Sequence, residues 1–188
     1  DRRGVAASLS EIGLIQSQQG DIDGARASYR EAIEIRRDIA DAQGLGLLLM
    51  RLGELELGAG NPEDALANTR EALRIQIEIG DEVGQAASLN NLGTIYDQRG
   101  EYSESLVYYQ RAMEIRERLG NPSEVANALH NIAATYTLLG SFREGQDHYL
   151  RALEQRRAAA DEAGAALESF SLGRVHGQQG RYAAALAA

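Results

Sequence analysis

The chain has 188 residues, 28 of them acidic and 19 basic, for a formal charge of −9. That balance argues against nucleic acid as a partner, because phosphate contacts want a basic face. The absence of cysteine excludes disulfides, thiolate metal sites and cysteine nucleophiles.

Taken in order, helices alternate with breaks. Glycines recur every 40 residues at Gly20, Gly60, Gly100, Gly140 and Gly180. The first stretch, residues 1–40, carries one apolar stripe at Val5, Leu9 and Ile12. Gly20 interrupts it, and a second stripe follows at Ala25, Tyr29 and Ala32. Residues 41–80 repeat the plan with Leu49, Leu52 and Gly53, then Ala65, Thr69 and Ala72. Residues 81–120 show it most fully. A first helix over about 83–99 aligns Ala86, Leu89, Leu92 and Tyr96 on one face. Gly100 ends it, as glycine does where a left-handed cap is needed. A second helix begins near Glu101 or Tyr102 and aligns Ser105, Tyr109, Ala112 and Met113 up to Gly120. Asn121-Pro122 then reads as a turn. Residues 121–160 continue with Leu129, Ile132, Ala133 and Tyr136, then Gly145, Tyr149 and Ala152.

The last stretch, 161–188, is a partial unit. Ser169 stands there in a column that reads Leu9, Leu49, Leu89 and Leu129, so the last interface should be weaker. Tyr182 and Ala185 open a helix that the counterparts carry about two turns further. Breaks are therefore expected near 20, 40, 60, 80, 100, 120, 140, 160 and 180, between full or partial helices. The N-terminus is not a methionine, and both ends read as cut from a longer array.

A fixed period of this size marks stacked supersecondary units, since a two-helix unit buries its stripes only when the next one stacks on it. A small residue follows the central aliphatic in every unit, at Gly13, Gly53, Gly93, Ala133 and Gly173. A mid-helix glycine costs about 1 kcal/mol relative to alanine. Its recurrence makes sense where no side chain fits, so two backbones should approach closely there. Ala25, Ala65, Ser105 and Gly145 supply the facing small positions.

The order Leu89-x-x-Leu92-Gly93-x-x-Tyr96, Gly100, Ser105-x-x-x-Tyr109-x-x-Ala112 resembles the tetratricopeptide repeat. Gln16, Glu56 and His176 depart from it at the first-helix tyrosine. The period exceeds the usual ~34 residues of that family. In this it is similar to the extended subclass of kinesin light chains, LGN/Pins adaptors and bacterial STAND-type regulators. The resemblance implies an all-α, right-handed α-solenoid of about four and a half repeats: 1–40, 41–80, 81–120, 121–160 and a partial 161–188. It also implies a single array across 1–188, in which first helices line a concave groove that binds extended peptide segments.

By that resemblance, the residues off the buried stripe of the first helices form the groove. Asn91 and Asn131, with Asn90 and Asn127, would clamp a peptide backbone, because a carboxamide donates and accepts at once. The competing reading is that these asparagines bond within the array and fix its register. His130, Thr94 and Asp97 fall on the same face. Arg51 and Arg174 could take partner carboxylates, or could sit in ordinary surface ion pairs.

No set of residues suggests a reaction, a cofactor or a metal. His130, His148 and His176 lack ligand spacing, and Gly44-Leu45-Gly46 lies inside a first helix, outside any phosphate-loop pattern. The expected partner is a protein or peptide segment, or another domain of the same chain; neither nucleic acid nor a membrane is expected. The leading expectation is a non-enzymatic adaptor scaffold in the cytoplasm. Its rivals are a regulatory segment of a bacterial signalling protein and a structural array that self-associates head to tail.

Overall fold

A computed structural model describes the backbone of residues 1–187 and the side chains of residues 1–181. Among the described residues all regular structure is helical. The chain divides into two compact units, Asp1–Arg99 and Gly100–Ala188. The first holds α1 (Arg2–Gln18), α2 (Ile22–Asp38), α3 (Ala42–Gly58), α4 (Pro62–Glu78) and α5 (Glu82–Gln98). The second holds α6 (Tyr102–Leu119), α7 (Pro122–Leu138), α8 (Phe142–Ala158) and α9 (Glu162–Ala187). Odd-numbered helices are the first helices of repeats, and even-numbered ones the second.

The helix ends follow from side-chain chemistry. Asp21, Asp41, Asp81 and Asp161 each accept a hydrogen bond from the backbone N–H of a glycine three residues on. Pro62 and Pro122 stand at the first helical position, so Pro122 is not in the turn expected from sequence. Proline fits there because its missing N–H would be unpaired anyway. Gly20, Gly60, Gly80, Gly100, Gly120 and Gly140 adopt positive φ, between 68° and 82°. The equivalent positions 40 and 160 are alanines held at φ 53° and 54°. A Cβ in the left-handed region costs roughly 1–2 kcal/mol. Ala40→Gly is therefore expected to raise stability by up to about 1 kcal/mol, read as a higher denaturant midpoint with an unchanged slope.

In the first unit the two stripes of each hairpin meet as the periodicity requires. Tyr29 and Ile33 of α2, Leu49 and Leu52 of α3 and Ile75 of α4 form one buried cluster. The small column is where helices touch. A Cβ built on Gly13 would lie 2.7 Å from the Tyr29 ring, and one on Gly53 would lie 3.2 Å from the Ala65 carbonyl. In the second unit a Cβ on Gly145 would lie 3.1 Å from the Ala133 carbonyl.

Polar ties join the second helix of one repeat to the first helix of the next. Glu56 of α3 is fully buried and receives Arg26 Nε at 2.6 Å, Arg26 Nη2 at 3.0 Å and Asn61 Nδ2 at 2.8 Å. These bonds, above all that from Arg26, outweigh burial and hold its carboxyl below the usual glutamate value. Arg36 binds Asp41, and Arg156 binds Asp161 at 2.9 Å. At the equivalent position of α4, Gln76 accepts from Ser88 Oγ at 2.7 Å. Burial alone would raise the Asp41 carboxyl, but the Gly44 N–H and the Arg36 guanidinium outweigh it and hold it low.

The last repeat departs from expectation. No break occurs at 180: α9 runs from Glu162 to Ala187, and Gly180 is helical. A fold-back would give up the continuous backbone ladder of α9, whereas a glycine inside a helix costs only about 1 kcal/mol. Ser169 cannot extend the leucine column and is exposed. Glu168 and Ser171 are buried in its stead, and Val175 packs with Ala133 and Tyr149. Ser171, which the periodicity places on the groove, is thus an interior residue. The Tyr182 and Ala185 side chains, half of the expected self-association surface, lie outside the described residues. The other half is open: Val5, Ile12 and Ile15 of α1 are exposed, although Leu52 and Leu55, the equivalents of Ile12 and Ile15, are buried.

Candidate binding face of the first helices

In the first unit, α1, α3 and α5 present the residues that lie off the buried stripe. Two adjoining cavities open there. One, of about 470 Å³, lies over α1 and α3 and includes Ala7, Ser10, Ile12 and Arg51. The other, of about 660 Å³, lies over α3 and α5 and includes Met50, Val83 and Ala87. Leu47 and Gly44 line both. Leu47 is 46 % exposed and Val83 67 % exposed, so apolar side chains are open to solvent there, beside the charged Arg3, Arg36, Asp41 and Asp81.

The asparagines are more engaged than a free clamp would be. Asn91 Nδ2 donates to Glu54 Oε1 at 2.7 Å, which ties α5 to α3. Its Oδ1 and second amide hydrogen have no other hydrogen bond among the described residues. Asn90 is half-buried, and its carbonyl accepts from Thr94 Oγ1 at 3.2 Å. Asp97 is also half-buried on α5. Arg51 is half-buried on α3 and makes no ion pair among the described residues.

In the second unit α7 and α9 carry the equivalent columns. Asn127 Oδ1 accepts from Arg156 Nη2 at 2.7 Å, so this side chain fixes the register of α7 on α8. His130 Nδ1 pairs with Glu168 Oε2 at 2.8 Å, and its ring stands edge-on to Tyr149 at 5.3 Å between centroids. Glu168 is fully buried and also faces Arg156 Nε at 3.5 Å. Burial raises the Tyr149 hydroxyl above its ordinary value, and Ser171 opposes that by hydrogen bonding. Asn131 is half-buried, and its carbonyl accepts from Thr135 at 3.0 Å. Arg174 is exposed on α9, beside Phe170, which is 65 % exposed.

Of the residues expected at the groove, Arg51 lines the smaller first-unit cavity, and Asn90, Asn91, Thr94 and Asp97 stand on α5, which Asn91 ties to Glu54 of α3. In the second unit Asn127 and His130 are spent on the interior network. The Glu54–Asn91 and His130–Glu168 pairs had a readable signal. They are 37 and 38 residues apart, one 40-residue period less three and two residues, so each joins neighbouring first helices. Glu168 itself had none, since its column otherwise reads Ser8, Leu48, Ser88 and Ala128.

Among the described residues no three histidine, acidic or thiol groups converge as a metal site would need. No described helix is long and apolar enough to cross a membrane.

A family model described as tetratricopeptide repeat matches residues 44–118 and 124–188, and a second with the same description matches 6–39. No curated protein matches the chain in sequence. Solved structures resemble it in fold. BtubC (BKLC) from P. vanneervenii aligns with a TM-score of 0.75 at 22% identity, over 95% of this chain and 82% of that one. Aspartyl phosphate phosphatase F from Bacillus subtilis aligns with a TM-score of 0.85 at 17% identity, over 90% of this chain and 45% of that one. A Rap protein complexed with Competence and Sporulation Factor aligns with a TM-score of 0.72 at 17% identity, over 95% of this chain and 50% of that one. The chain therefore spans about half the length of the latter two.

Proposed function

The chain belongs to the tetratricopeptide repeat family, and on that premise we propose that residues 1–188 form one array that holds an extended segment of a partner protein against its first helices. The observation that carries this reading is the open face of the first unit, with cavities of about 470 and 660 Å³ meeting at Leu47. Exposed apolar side chains in a cavity suit contact with another molecule's side chains. On the neighbouring helix α5, Asn91 is tied to Glu54 of α3 and keeps hydrogen-bonding capacity that would suit a peptide backbone. The array works by binding, without catalysis, in the cytoplasm. A Rap protein with a bound factor has the same fold over about half its length. That favours a second reading, a sensor segment of a longer signalling protein. Stacking of copies through Val5, Ile12 and Ile15 is a third.

The test is selection of short random peptides on the immobilised protein, followed by calorimetry. Asn91→Ala combined with Asn131→Ala is expected to weaken a selected peptide at least about tenfold, the equivalent of roughly 1.4 kcal/mol. The melting temperature should scarcely move, because the Asn91–Glu54 bond is at the surface. Undiminished binding together with a large loss of stability would instead establish these asparagines as register-fixing residues.

A further inference from the structure

We propose that α9 is fastened to the second unit by a proton-gated charge cluster, firmly when the His130 ring is charged and loosely when it is neutral. Apolar packing alone gives α9 little hold. Ser169 interrupts the leucine column and is exposed, and of the described side chains of α9 only Glu168, Ser171 and Val175 are buried. The preceding first helix, α7, buries Val125, Leu129 and Ile132. Glu168 stands where the column otherwise reads Ser8, Leu48, Ser88 and Ala128. His130 stands where it otherwise reads Ser10, Met50, Asn90 and Phe170, so this joint is peculiar to the last interface.

The carboxylate of Glu168 governs the cluster. It is fully buried, and its Oε2 lies 2.8 Å from His130 Nδ1. Its Oε1 makes no hydrogen bond among the described residues and faces Arg156 Nε at 3.5 Å. That guanidinium is already shared. Its Nη1 donates to Asp161 at 2.9 Å and its Nη2 to Asn127 at 2.7 Å. Two carboxylates thus converge on one permanent cation. A carboxylate sealed from water is costly unless it is fully paired, and the imidazole is the group placed to complete the pairing. A neutral ring gives Glu168 one hydrogen bond from Nδ1–H. A charged ring gives it an ion pair as well, where water screens little.

The helices around the ring set the sign of the effect. From α8 come Arg156 and Tyr149, whose hydroxyl burial pushes up, so that it stays neutral near pH 7. From α6 comes Arg116, which is bound to Glu124 at the start of α7 at 3.2 Å. From α9 come Glu168 and Arg174, the latter exposed and so screened by solvent. Histidine is the residue type among these that changes charge between about pH 5 and 8. The folded cluster favours the charged ring through Glu168. The hold on α9 is therefore firmest on the acid side of that range and weakens as the pH rises through it.

Amide hydrogen exchange of the whole chain between about pH 5.5 and about pH 8, corrected for the intrinsic pH dependence of exchange, tests this. Protection over residues 162–181 is expected to fall roughly fivefold to tenfold across that range, the difference between a charge-assisted hydrogen bond and a neutral one. Protection of α6 should hold. The His130 ring signals in a proton NMR titration should share the midpoint of the loss in α9. His130→Gln keeps an amide donor for Glu168 and should make the protection of α9 independent of pH. Glu168→Gln removes the charge to which the ring responds and should do the same. His148→Gln and His176→Gln should keep the parent profile. A parent profile that is flat after correction, one that survives His130→Gln, or a His130 midpoint that differs from that of α9 would overturn the proposal. Should His130→Gln leave α9 unprotected at every pH, Glu168→Gln and the ring titration decide in the same way. None of these measurements requires a bound partner, so their outcome is independent of the scaffold reading.

Discussion

Gly53→Leu is expected to destabilise the first unit by about 3 kcal/mol or more, while Gly173→Leu, three repeats further along the same column, should cost nothing. The two glycines share a helix position and the same preceding leucine. They differ in what lies opposite. A Cβ on Gly53 would press on the Thr69 hydroxyl and come within 3.2 Å of the Ala65 carbonyl, so a leucine must push α3 away from α4. Overpacking of that kind costs about 1–3 kcal/mol when side chains alone can yield, and more when backbone must move. A Cβ on Gly173 meets nothing within 4 Å. There the substitution removes a helix-interior glycine, which is worth roughly 0.5–1 kcal/mol in favour of the variant. Urea unfolding of the two variants beside the parent decides the matter. Equal midpoints would show that the small column is not a contact surface.

That contrast also shows how far the sequence could be read. Columns of identical or small residues announced the hairpins, because packing acts on every repeat alike and so writes itself into the period. Helix ends at 20, 60, 80, 100, 120 and 140 were legible for the same reason: only glycine takes φ near +75° at no steric cost. What breaks the period was not legible. Glu168 occupies a column of small and aliphatic residues, and nothing in its neighbours announces that it will be buried against His130 and Arg156. Ser169, a visible break in the leucine column, pointed to a weaker last interface. It did not foretell that α9 would turn Ser171 and Val175 inward and run through Gly180. The candidate face was half legible. The off-stripe columns pointed to Arg51 and Asn91, which stand on the neighbouring first helices α3 and α5. Whether each side chain was free or engaged depended on neighbours outside its own helix, as Glu54 is for Asn91 and Arg156 for Asn127.

Glu56 shows most sharply how a departure from the repeat signature is accommodated, and its removal should be the other large effect. It takes the place of the first-helix tyrosine, and its carboxylate is sealed from water with three donors from Arg26 and Asn61. In the next repeat the signature residue Tyr96 receives Arg70 Nη2 at 2.5 Å, so a second-helix arginine reaches this column in both cases. Glu56→Ala leaves a cavity, an amide without its acceptor and a guanidinium with only Asp23 for company. Because the Arg26 side chain retains 20% exposure, water offsets part of the loss. The expected cost is about 2–3 kcal/mol, below that of breaking a fully sealed pair. Replacing both partners, Glu56→Leu with Arg26→Met, should recover most of it, since an apolar pair needs no desolvation.

The pH dependence carries the same signature. The folded carboxyls of Glu56 and Asp41 lie below their ordinary values of 4.5 and 3.8. Their contribution is therefore complete above about pH 4.5 and is lost as the pH falls through the depressed folded values. The parent should lose stability across that acid range, and the double variant that combines Glu56→Leu with Arg26→Met should lose less. Parallel acid profiles for the two proteins would mean that Glu56 is not the group whose protonation loosens α3 from α2.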